Sequence, residues 1–322
     1  MSRRVIVPID FGGSPTPCWL RPPLHDRPTP ALVQAMVQHY QTERARPGQP
    51  LEIAFFRGGV PDDSLLSAAQ GHAIRVNCSP ADLSRADAAR LWAAGVQTIE
   101  LHVCTFRNAT LSDCHRGYRG DLVAVMLRDL KRMGFTLGVT LVPGLPSSAH
   151  QDAVEDARTL TQGEDGAPMV SFVRIIPALA LAKTVLAELV ETKRWRPMHL
   201  GEAVTTTLAM VEVLEAAGIA IARVGLQPGQ DTPHRVVAGP YHPNLRHLVE
   251  VRRFYGRMAS VLRLVPAGSR VEVEVNPRDL SWAKGTANEN IRALRARLSL
   301  QELTIRPSDR LSRGEVKLGK VG

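Results

Sequence analysis

The feature that most constrains the fold is a regular alternation of short β-branched runs with amphipathic stretches. Seven runs are predicted strands: Val5–Ile9, Leu51–Phe56, Ala73–Asn77, Thr98–Cys104, Thr136–Val142, Phe172–Pro177 and Ile219–Leu226. The stretches between them are predicted helices: Pro30–Arg44, Pro61–Ala69, Arg85–Ala94, Arg119–Met133, His150–Thr161, Leu179–Thr192 and Gly201–Ala217. Strict alternation predicts a parallel sheet with helices outside it, either an α/β barrel or an open sheet. Functional sites in both folds gather at the carboxyl ends of the strands.

One face of most predicted strands carries polar or ionisable side chains. Thr98–Cys104 places Glu100, His102 and Cys104 on the same face, because side chains alternate along a strand. The other strands add further polar residues: Glu52, Arg75, Asn77, Ser79, Thr140, Arg174, Arg223 and Gln227. A strand covered on both sides is normally apolar, and unpaired buried polar groups are costly. The pattern favours a barrel whose lumen takes a polar ligand, with an internal salt-bridge network as the alternative.

Length and composition limit the class of protein. The 322 residues are 44% apolar, which is enough for one large core or two domains. No apolar run reaches the roughly 18 residues of a membrane-spanning helix, and the start of the chain does not resemble a signal peptide. The cysteines at 18, 78, 104 and 114 lack the spacing of a disulfide scaffold. We therefore expect a reduced, cytoplasmic protein.

The excess positive charge is concentrated near the end of the chain. The formal net charge is +9, and residues 251–322 contain fifteen Lys and Arg against seven Asp and Glu. Such a region favours phosphate-bearing partners, with an affinity that falls as salt rises. RNA is therefore a predicted partner, and a basic surface that is merely solvated is the alternative.

The sequence predicts three successive regions. Residues 1–228 contain the strand–helix alternation and form the predicted barrel. Residues 229–264 form a connecting segment that starts rich in Pro and Gly and ends in a helix. Residues 265–322 form a small basic α/β unit with a strand at Arg270–Val275, a helix at Ala287–Leu298 and a strand at Glu302–Ile305.

The loop after the first predicted strand, residues 11–21, reads F-G-G-S-P-T-P-C-W-L-R. It resembles the cluster loop of radical SAM enzymes (SAM, S-adenosylmethionine) of the Elongator catalytic-subunit type, where G-C-P-x-x-C-x-F-C supplies three thiolates. Gly13 and Pro15 match that pattern, and Cys18 falls on its middle cysteine. Ser14 and Arg21 stand where the outer two cysteines are expected. The resemblance therefore includes a degenerate cluster-binding motif.

Other segments resemble the same family along almost the whole chain. Residues 55–59 are similar to the F-F-G-G segment that contacts the methionine part of SAM, with Arg57 inserted before Gly58 and Gly59. Ser79 stands where the family has a carboxylate-binding arginine. Two scaffold segments are nearly unaltered: Ala238–Pro243 and Val275–Asp279. Scaffold positions thus match the family, whereas positions that contact the cofactors do not.

The resemblance implies a radical-SAM-type partial α/β barrel with parallel strands and a small C-terminal α/β unit. It argues against a [4Fe–4S] cluster, because such a cluster needs three thiolates and serine is a poor substitute. SAM without the cluster is one open occupant, although the inserted Arg57 and the serine at 79 argue against the family's binding pose. The candidate binding set is Arg57, Gly58, Gly59, Asn77, Ser79, Glu100, His102, Cys104, Thr140, Arg174, Arg223 and Gln227. Two other occupants are open: a metal held by Cys18, Cys104 and a histidine, and a small anionic ligand held by Arg57, Arg75, Arg174 and Arg223.

Two functions follow as hypotheses. The first is a non-catalytic relative that binds a small molecule, RNA or an active paralogue. The second is an RNA-modifying enzyme that uses SAM or a metal in a rebuilt site. Ordinary radical SAM chemistry fits neither, because two of the three cluster cysteines are replaced.

Overall fold

The structure is a computed structural model that describes residues 4–10, 28–56, 59–226 and 232–322. The chain divides into two compact units, the first ending at Pro243 and the second running from Asn244 to Gly322. Within the described residues, no helix combines the length and the apolar character needed to cross a bilayer.

The first unit is built on a parallel sheet. Its strands are β1 (Val5–Asp10), β2 (Leu51–Phe56), β3 (Ala73–Cys78), β4 (Thr98–Cys104), β5 (Thr136–Leu141), β6 (Phe172–Ile175), β7 (Ala180–Leu181), β8 (Ala220–Val224) and β9 (Val236–Ala238). Seven of them pair in parallel in the order β1-β2-β3-β4-β5-β6-β8 and curl into a half-barrel. All seven predicted strands are present, so the predicted α/β partial barrel is confirmed.

Helices connect these strands. They are α1 (Pro30–Glu43), α2 (Asp63–Ala68), α3 (Arg85–Ala93), α4 (Asn108–Asp113), α5 (Gly120–Arg132), α6 (His150–Thr161), α7 (Val185–Glu191), α8 (Leu200–Ala216) and α9 (Thr232–Arg235). Their starts follow ordinary capping chemistry. Asp62 accepts from the Leu65 amide, and Ser84 forms a capping box with Asp87.

The predicted helix at 179–192 is wrong in its first half. Ala180 and Leu181 form β7, which pairs antiparallel with β9, and both residues are buried. Helix α7 begins only after Thr184, whose hydroxyl accepts from the Ala187 amide at 3.3 Å. Periodicity alone does not distinguish a short buried strand from the start of a buried helix, so the apolar run predicts a single helix.

The two faces of the parallel sheet differ sharply in composition. The face toward the helices is apolar, and Val7, Ile53, Val76, Leu101 and Val139 on it have no exposed surface. The opposite face lines the lumen and carries the polar side chains that the sequence pattern places together. A one-residue slip of a strand would turn its apolar side chains away from the helices. Burial of these side chains against the helix layer therefore fixes the strand register.

The second unit is a small α/β domain with its own core. Its elements are α10 (Leu245–Val261), β10 (Arg270–Val275), α11 (Leu280–Lys284), α12 (Glu289–Arg297), β11 (Glu302–Pro307) and β12 (Val316–Val321). β10 pairs in parallel with β11 and antiparallel with β12, a strand that the sequence analysis did not predict.

The predicted connecting segment 229–264 is divided by the unit boundary. Helix α10 belongs to the second unit, because Phe254, Met258 and Leu262 pack in one core with Val271 and Val273. The second unit therefore begins about twenty residues earlier than the expected position 265, since tertiary packing, rather than local composition, decides which core a helix joins.

Candidate ligand site in the barrel lumen

Glu100 lies at the centre of the lumen, with no exposed surface. Thr140 on the next strand donates its hydroxyl hydrogen to Glu100 Oε1 at 3.2 Å. Arg174 Nε lies 2.5 Å from Glu100 Oε1, and Arg75 Nη1 lies 3.6 Å from Oε2. Parallel pairing explains the convergence, because it places same-face residues of β3, β4, β5 and β6 side by side.

Arg75 connects Glu100 to a second carboxylate. Its Nη2 donates to Glu52 Oε2 at 2.8 Å, and its guanidinium stacks over the Phe172 ring at 5.0 Å from the centroid. Phe172 needs the space over its neighbour Gly138, where a Cβ atom would lie 2.1 Å from the ring. The aromatic ring and the two carboxylates thus fix the position of Arg75.

His102 lies beside this network as a neutral imidazole. Its Nε2 is hydrogen-bonded to Asn77 Oδ1. Burial, together with the positive charges of Arg116 and Arg174, lowers the pKa of His102 to about 3. The Tyr118 hydroxyl lies within hydrogen-bond distance of the His102 and Val103 carbonyls and holds the backbone at this point.

In the part of the chain that the structure describes, four buried polar atoms of the lumen make no hydrogen bond. They are Arg75 Nε, Glu100 Oε2, His102 Nδ1 and Arg174 Nε. Arg174 Nε is close to Glu100 Oε1 in distance, but the contact does not lie along the N–H bond. A buried polar group without a hydrogen bond costs about 1–3 kcal/mol, and native interiors rarely leave such groups together. Their concentration here makes the lumen the candidate ligand site.

Arg223 on β8 extends the site next to Arg174. The two arginines are partners in the β6–β8 register, next to a register shift between Val173 and Arg174. Burial and the charge of Arg174 lower the pKa of Arg223. Its Nε donates to the Gly225 carbonyl at 3.2 Å.

Three other predicted site residues have local roles. Ser79 caps the one-turn helix Pro80–Asp82 by accepting from the Ala81 amide at 3.3 Å. Gly59 adopts φ 62°, a conformation that favours glycine. Cys104 follows a one-residue register shift after Leu101, has φ 66° and packs in a buried apolar cluster, so it does not continue the alternation of Glu100 and His102.

The remaining predicted site residues lie outside the described part of the chain. They are Ser14, Cys18, Arg21, Arg57, Gly58 and Gln227. The contacts predicted for them with a cluster, SAM or a metal therefore stay predictions.

The donor set does not fit a [4Fe–4S] cluster. The loop at 11–21 has one cysteine where three thiolates are needed. Cys78 pairs in register with Leu101 on the helix side of the sheet, and burial raises the pKa of its thiol. Burial also raises the pKa of Cys114 to about 12. Among the described residues, no group of three His, Cys, Asp or Glu side chains could hold a metal ion.

Asp156 on α6 is a buried residue that the sequence analysis missed. Its Oδ1 accepts from the Phe106 amide at 2.8 Å and so anchors the loop that follows β4. Burial raises the pKa of Asp156 to about 7. Its position between Ala153 and Ala157 on the buried face of an amphipathic helix was the available signal.

A cavity of about 910 Å³ opens beyond the carboxyl end of β5, between the first turns of α6 and α8. The charged groups that line it are paired with each other, Arg107 with Asp152 and Arg196 with Glu202. None of its described lining residues has a buried polar atom without a partner. The lumen is therefore the better-supported ligand site.

Comparison with known proteins agrees with this fold. A family model described as the Radical_SAM C-terminal domain matches residues 170–255, from β6 into α10. No curated protein matches the sequence. The archaeal Methanocaldococcus infernus Elp3 with an N-terminal deletion superposes with a TM-score of 0.61 at 17% identity, over 83% of this chain and 67% of that one. HydG, a maturase of the [FeFe]-hydrogenase, gives a TM-score of 0.51 at 13% identity, over 76% of this chain and 55% of that one.

This chain thus spans between about half and two thirds of the length of these two structures. At such identities the superpositions establish the fold, and the domain match adds a sequence relationship over β6 to α10. Together, these findings give the chain a radical-SAM-type half-barrel fold and a sequence match to the Radical_SAM C-terminal domain over residues 170–255.

Proposed function

We propose that this chain is a non-radical member of the radical SAM superfamily that binds a small polar molecule in its lumen. The observation that carries the proposal is the set of buried polar atoms without a hydrogen bond on Arg75, Glu100, His102 and Arg174. The single cysteine of the loop at 11–21 supports the loss of cluster chemistry, because one thiolate does not hold a site-differentiated cluster.

Anaerobic reconstitution of the full chain with iron and sulfide tests the loss of the cluster. We expect no near-stoichiometric iron and no visible cluster absorbance in the wild-type protein. The matched control is the double variant Ser14→Cys/Arg21→Cys, which restores the three-cysteine spacing and is expected to take up iron. A wild-type chain that binds a cluster in near-stoichiometric amount would overturn the proposal.

A thermal-shift screen tests the lumen as a ligand site. The probes are polar metabolites of both charge signs and neutral ones, added to the wild-type chain and to Glu100→Gln/Arg174→Gln. We expect at least one probe to stabilise the wild-type chain but not the double variant. The exposed pair variant Glu155→Gln/Arg158→Gln serves as the control and should respond like the wild type. If no probe stabilises the wild-type chain more than the double variant, the result contradicts the lumen site.

RNA binding by the second unit is a second candidate function, and a specific surface favours it. The guanidinium of Arg252 on α10 lies 5.7 Å from the ring centroid of Tyr255. Arg297 on α12 donates to the Tyr255 hydroxyl at 3.3 Å. Arg292 and Arg295, also exposed, lie on the same helix α12. Aromatic rings among arginines suit stacking and phosphate contact with single-stranded nucleic acid.

Fluorescence anisotropy with a labelled single-stranded RNA of about 20 nucleotides tests this function at several salt concentrations. The expected affinity falls steeply with salt, with a slope of about 0.7 per phosphate contact. Arg252→Gln/Arg297→Gln should weaken binding and flatten that slope, whereas Arg158→Gln on the exposed side of α6 should change neither. Salt-independent binding, or none, would remove RNA as a partner.

A further inference from the structure

Two arginines stand next to each other at one side of the lumen. Arg174 on β6 and Arg223 on β8 are register partners, and strands in a sheet are about 4.8 Å apart. The two guanidinium groups carry like charges and repel each other, and partial burial weakens the screening by water. Burial, and after it the charge of Arg174, lowers the pKa of Arg223.

The carboxylate that contacts Arg174 among the described residues is Glu100, and it is shared with other groups. Glu100 also lies close to Arg75 and accepts a hydrogen bond from the hydroxyl of Thr140. Glu52 faces Arg75 from the far side, on β2. The Nε–H of Arg174 still makes no hydrogen bond, because its contact with Glu100 is poorly aligned. Arg174 therefore keeps a buried donor with a positive charge and no acceptor along its axis.

His102 borders the same space. Asn77 contacts it from β3, Tyr118 holds its backbone from the loop after α4, and the charges of Arg116 and Arg174 act on it. Its Nδ1 is buried and has no partner. A negative charge bound at Arg174 would favour the imidazolium and would change the electronic environment of this ring.

We infer that the ligand of the lumen carries an oxyanion, a carboxylate or a phosphate, that binds at Arg174 with Arg223 beside it and His102 at its edge. The inference rests on the proposed function, that is, on the lumen being a ligand site. An oxyanion accepts the unused Arg174 N–H and places a negative charge beside two arginines. A cationic ligand would be repelled by these arginines, and a neutral ligand would gain only the hydrogen bond.

Nuclear magnetic resonance of the full chain labelled on its histidine side chains tests the inference. Inorganic phosphate and acetate are titrated separately against chloride at equal ionic strength, and the His102 signal is assigned by its loss in His102→Gln. We expect a saturable shift of the His102 signal with phosphate, acetate or both. The comparison of the two anions distinguishes a phosphate ligand from a carboxylate ligand.

Variants at Arg174 give the decisive comparison. Arg174→Gln should weaken the anion affinity about tenfold or more, the effect of removing a charge-assisted hydrogen bond. Arg158→Gln, an exposed arginine on α6, should leave it unchanged. Arg174→Gln leaves the buried Glu100 with one cation fewer. If this variant does not fold, Arg174→Lys and the double variant Glu100→Gln/Arg174→Gln are measured instead.

The inference fails if neither anion shifts His102, or if a folded Arg174→Gln chain binds the anions as well as the wild type does. Such a failure is distinguishable from a failure of the proposed function. Neutral or cationic probes that stabilise the wild-type chain in the thermal screen would keep the lumen as a ligand site while excluding the oxyanion.

Discussion

Glu100 on β4 and Arg174 on β6 meet across the intervening strand, with Oε1 and Nε 2.5 Å apart in the lumen. The carboxylate has no exposed surface, whereas the arginine side chain is 18% exposed. Through Arg75, the same carboxylate is connected to Glu52 on β2. One buried anion therefore joins the polar faces of strands that are far apart in the sequence.

Replacing Glu100 should destabilise the first unit strongly. Glu100→Gln leaves Arg174 without its counter-ion in a buried setting, and we expect a loss of about 3 kcal/mol in the free energy of unfolding. Urea denaturation measures the loss. The double variant Glu100→Gln/Arg174→Gln removes both charges and should recover part of it, giving a coupling energy between the two residues.

An exposed pair on α6 is the matched control for this coupling. Glu155 and Arg158 lie 3.2 Å apart with side chains more than half exposed, so their coupling should be about 0.5 kcal/mol or less. Equal coupling energies for the two pairs would show that burial adds nothing to the lumen network.

His102 should make the protein less stable in acid. Its folded-state pKa of about 3 lies below the ordinary value of 6.5, so the unfolded chain binds more protons between these two pH values. Stability should therefore fall as the pH drops from about 6.5 toward 3, with a slope of at most about 1.4 kcal/mol per pH unit. The His102→Gln variant should lose this slope in urea denaturation curves measured across that range.

A direct measurement follows the imidazole itself. The His102 signal of the folded chain should not titrate between pH 8 and pH 5, whereas in denaturant it should titrate near about 6.5. A midpoint near 6 in the folded chain would contradict the buried, cation-flanked environment described for this ring.

The lumen network was largely predictable from sequence, and the reason is geometric. Side chains alternate along a strand and parallel strands align, so polar residues at every second position of Thr98–Cys104 and its neighbours had to converge. Glu100, Thr140 and Arg174 were found in this way, and the structure brings them into contact. The order of helices and strands followed from the alternation of amphipathic helical stretches with short β-branched runs.

What the sequence pattern missed depends on tertiary contacts or local irregularity. The register shift between Leu101 and Cys104 interrupts the alternation, and nothing in the residue pattern marks it. Ser79 caps a short helix, a role that the residue pattern did not predict, and its predicted contact with a cofactor stays a prediction. Helix α10 joined the second core through side-chain packing that local composition does not encode.

Asp156 should have the opposite pH dependence to His102. Its pKa is raised from 3.8 to about 7 by burial, so the folded chain binds the extra proton between these values and loses stability as the pH rises through about 7. Asp156→Asn keeps an oxygen that accepts from the Phe106 amide and removes the charge. This variant should match the wild type near pH 4 and exceed it in stability above pH 7.

Urea denaturation at a series of pH values checks the prediction for Asp156. Glu155→Gln, a neighbouring change on the exposed side of α6, controls for the loss of one negative charge. If the difference between Asp156→Asn and the wild type is the same at pH 4 and pH 8, the carboxyl group does not titrate in the expected range.

Asp279 should act as a structural anchor of the second unit. It has no exposed surface, its Oδ2 accepts from the Gly314 amide at 2.7 Å, and its Oδ1 is paired with Arg313. Asn276 in the same turn donates to the Leu311 carbonyl at 2.7 Å. The near-unaltered segment 275–279 therefore holds the loop before β12 in place, which explains its composition without any contact to a ligand.

Asp279→Ala leaves the Gly314 amide and the Arg313 guanidinium without this acceptor, at a cost of about 1–3 kcal/mol. Hydrogen exchange on the full chain should show faster exchange at residues 308–315 and in β12, because the loop and the strand lose their common anchor. Exchange in β2 to β6 should stay as in the wild type, since these strands belong to another core. Asp309→Ala, an exposed acid in the same loop, should change neither region, so equal effects of the two variants would refute the anchoring role.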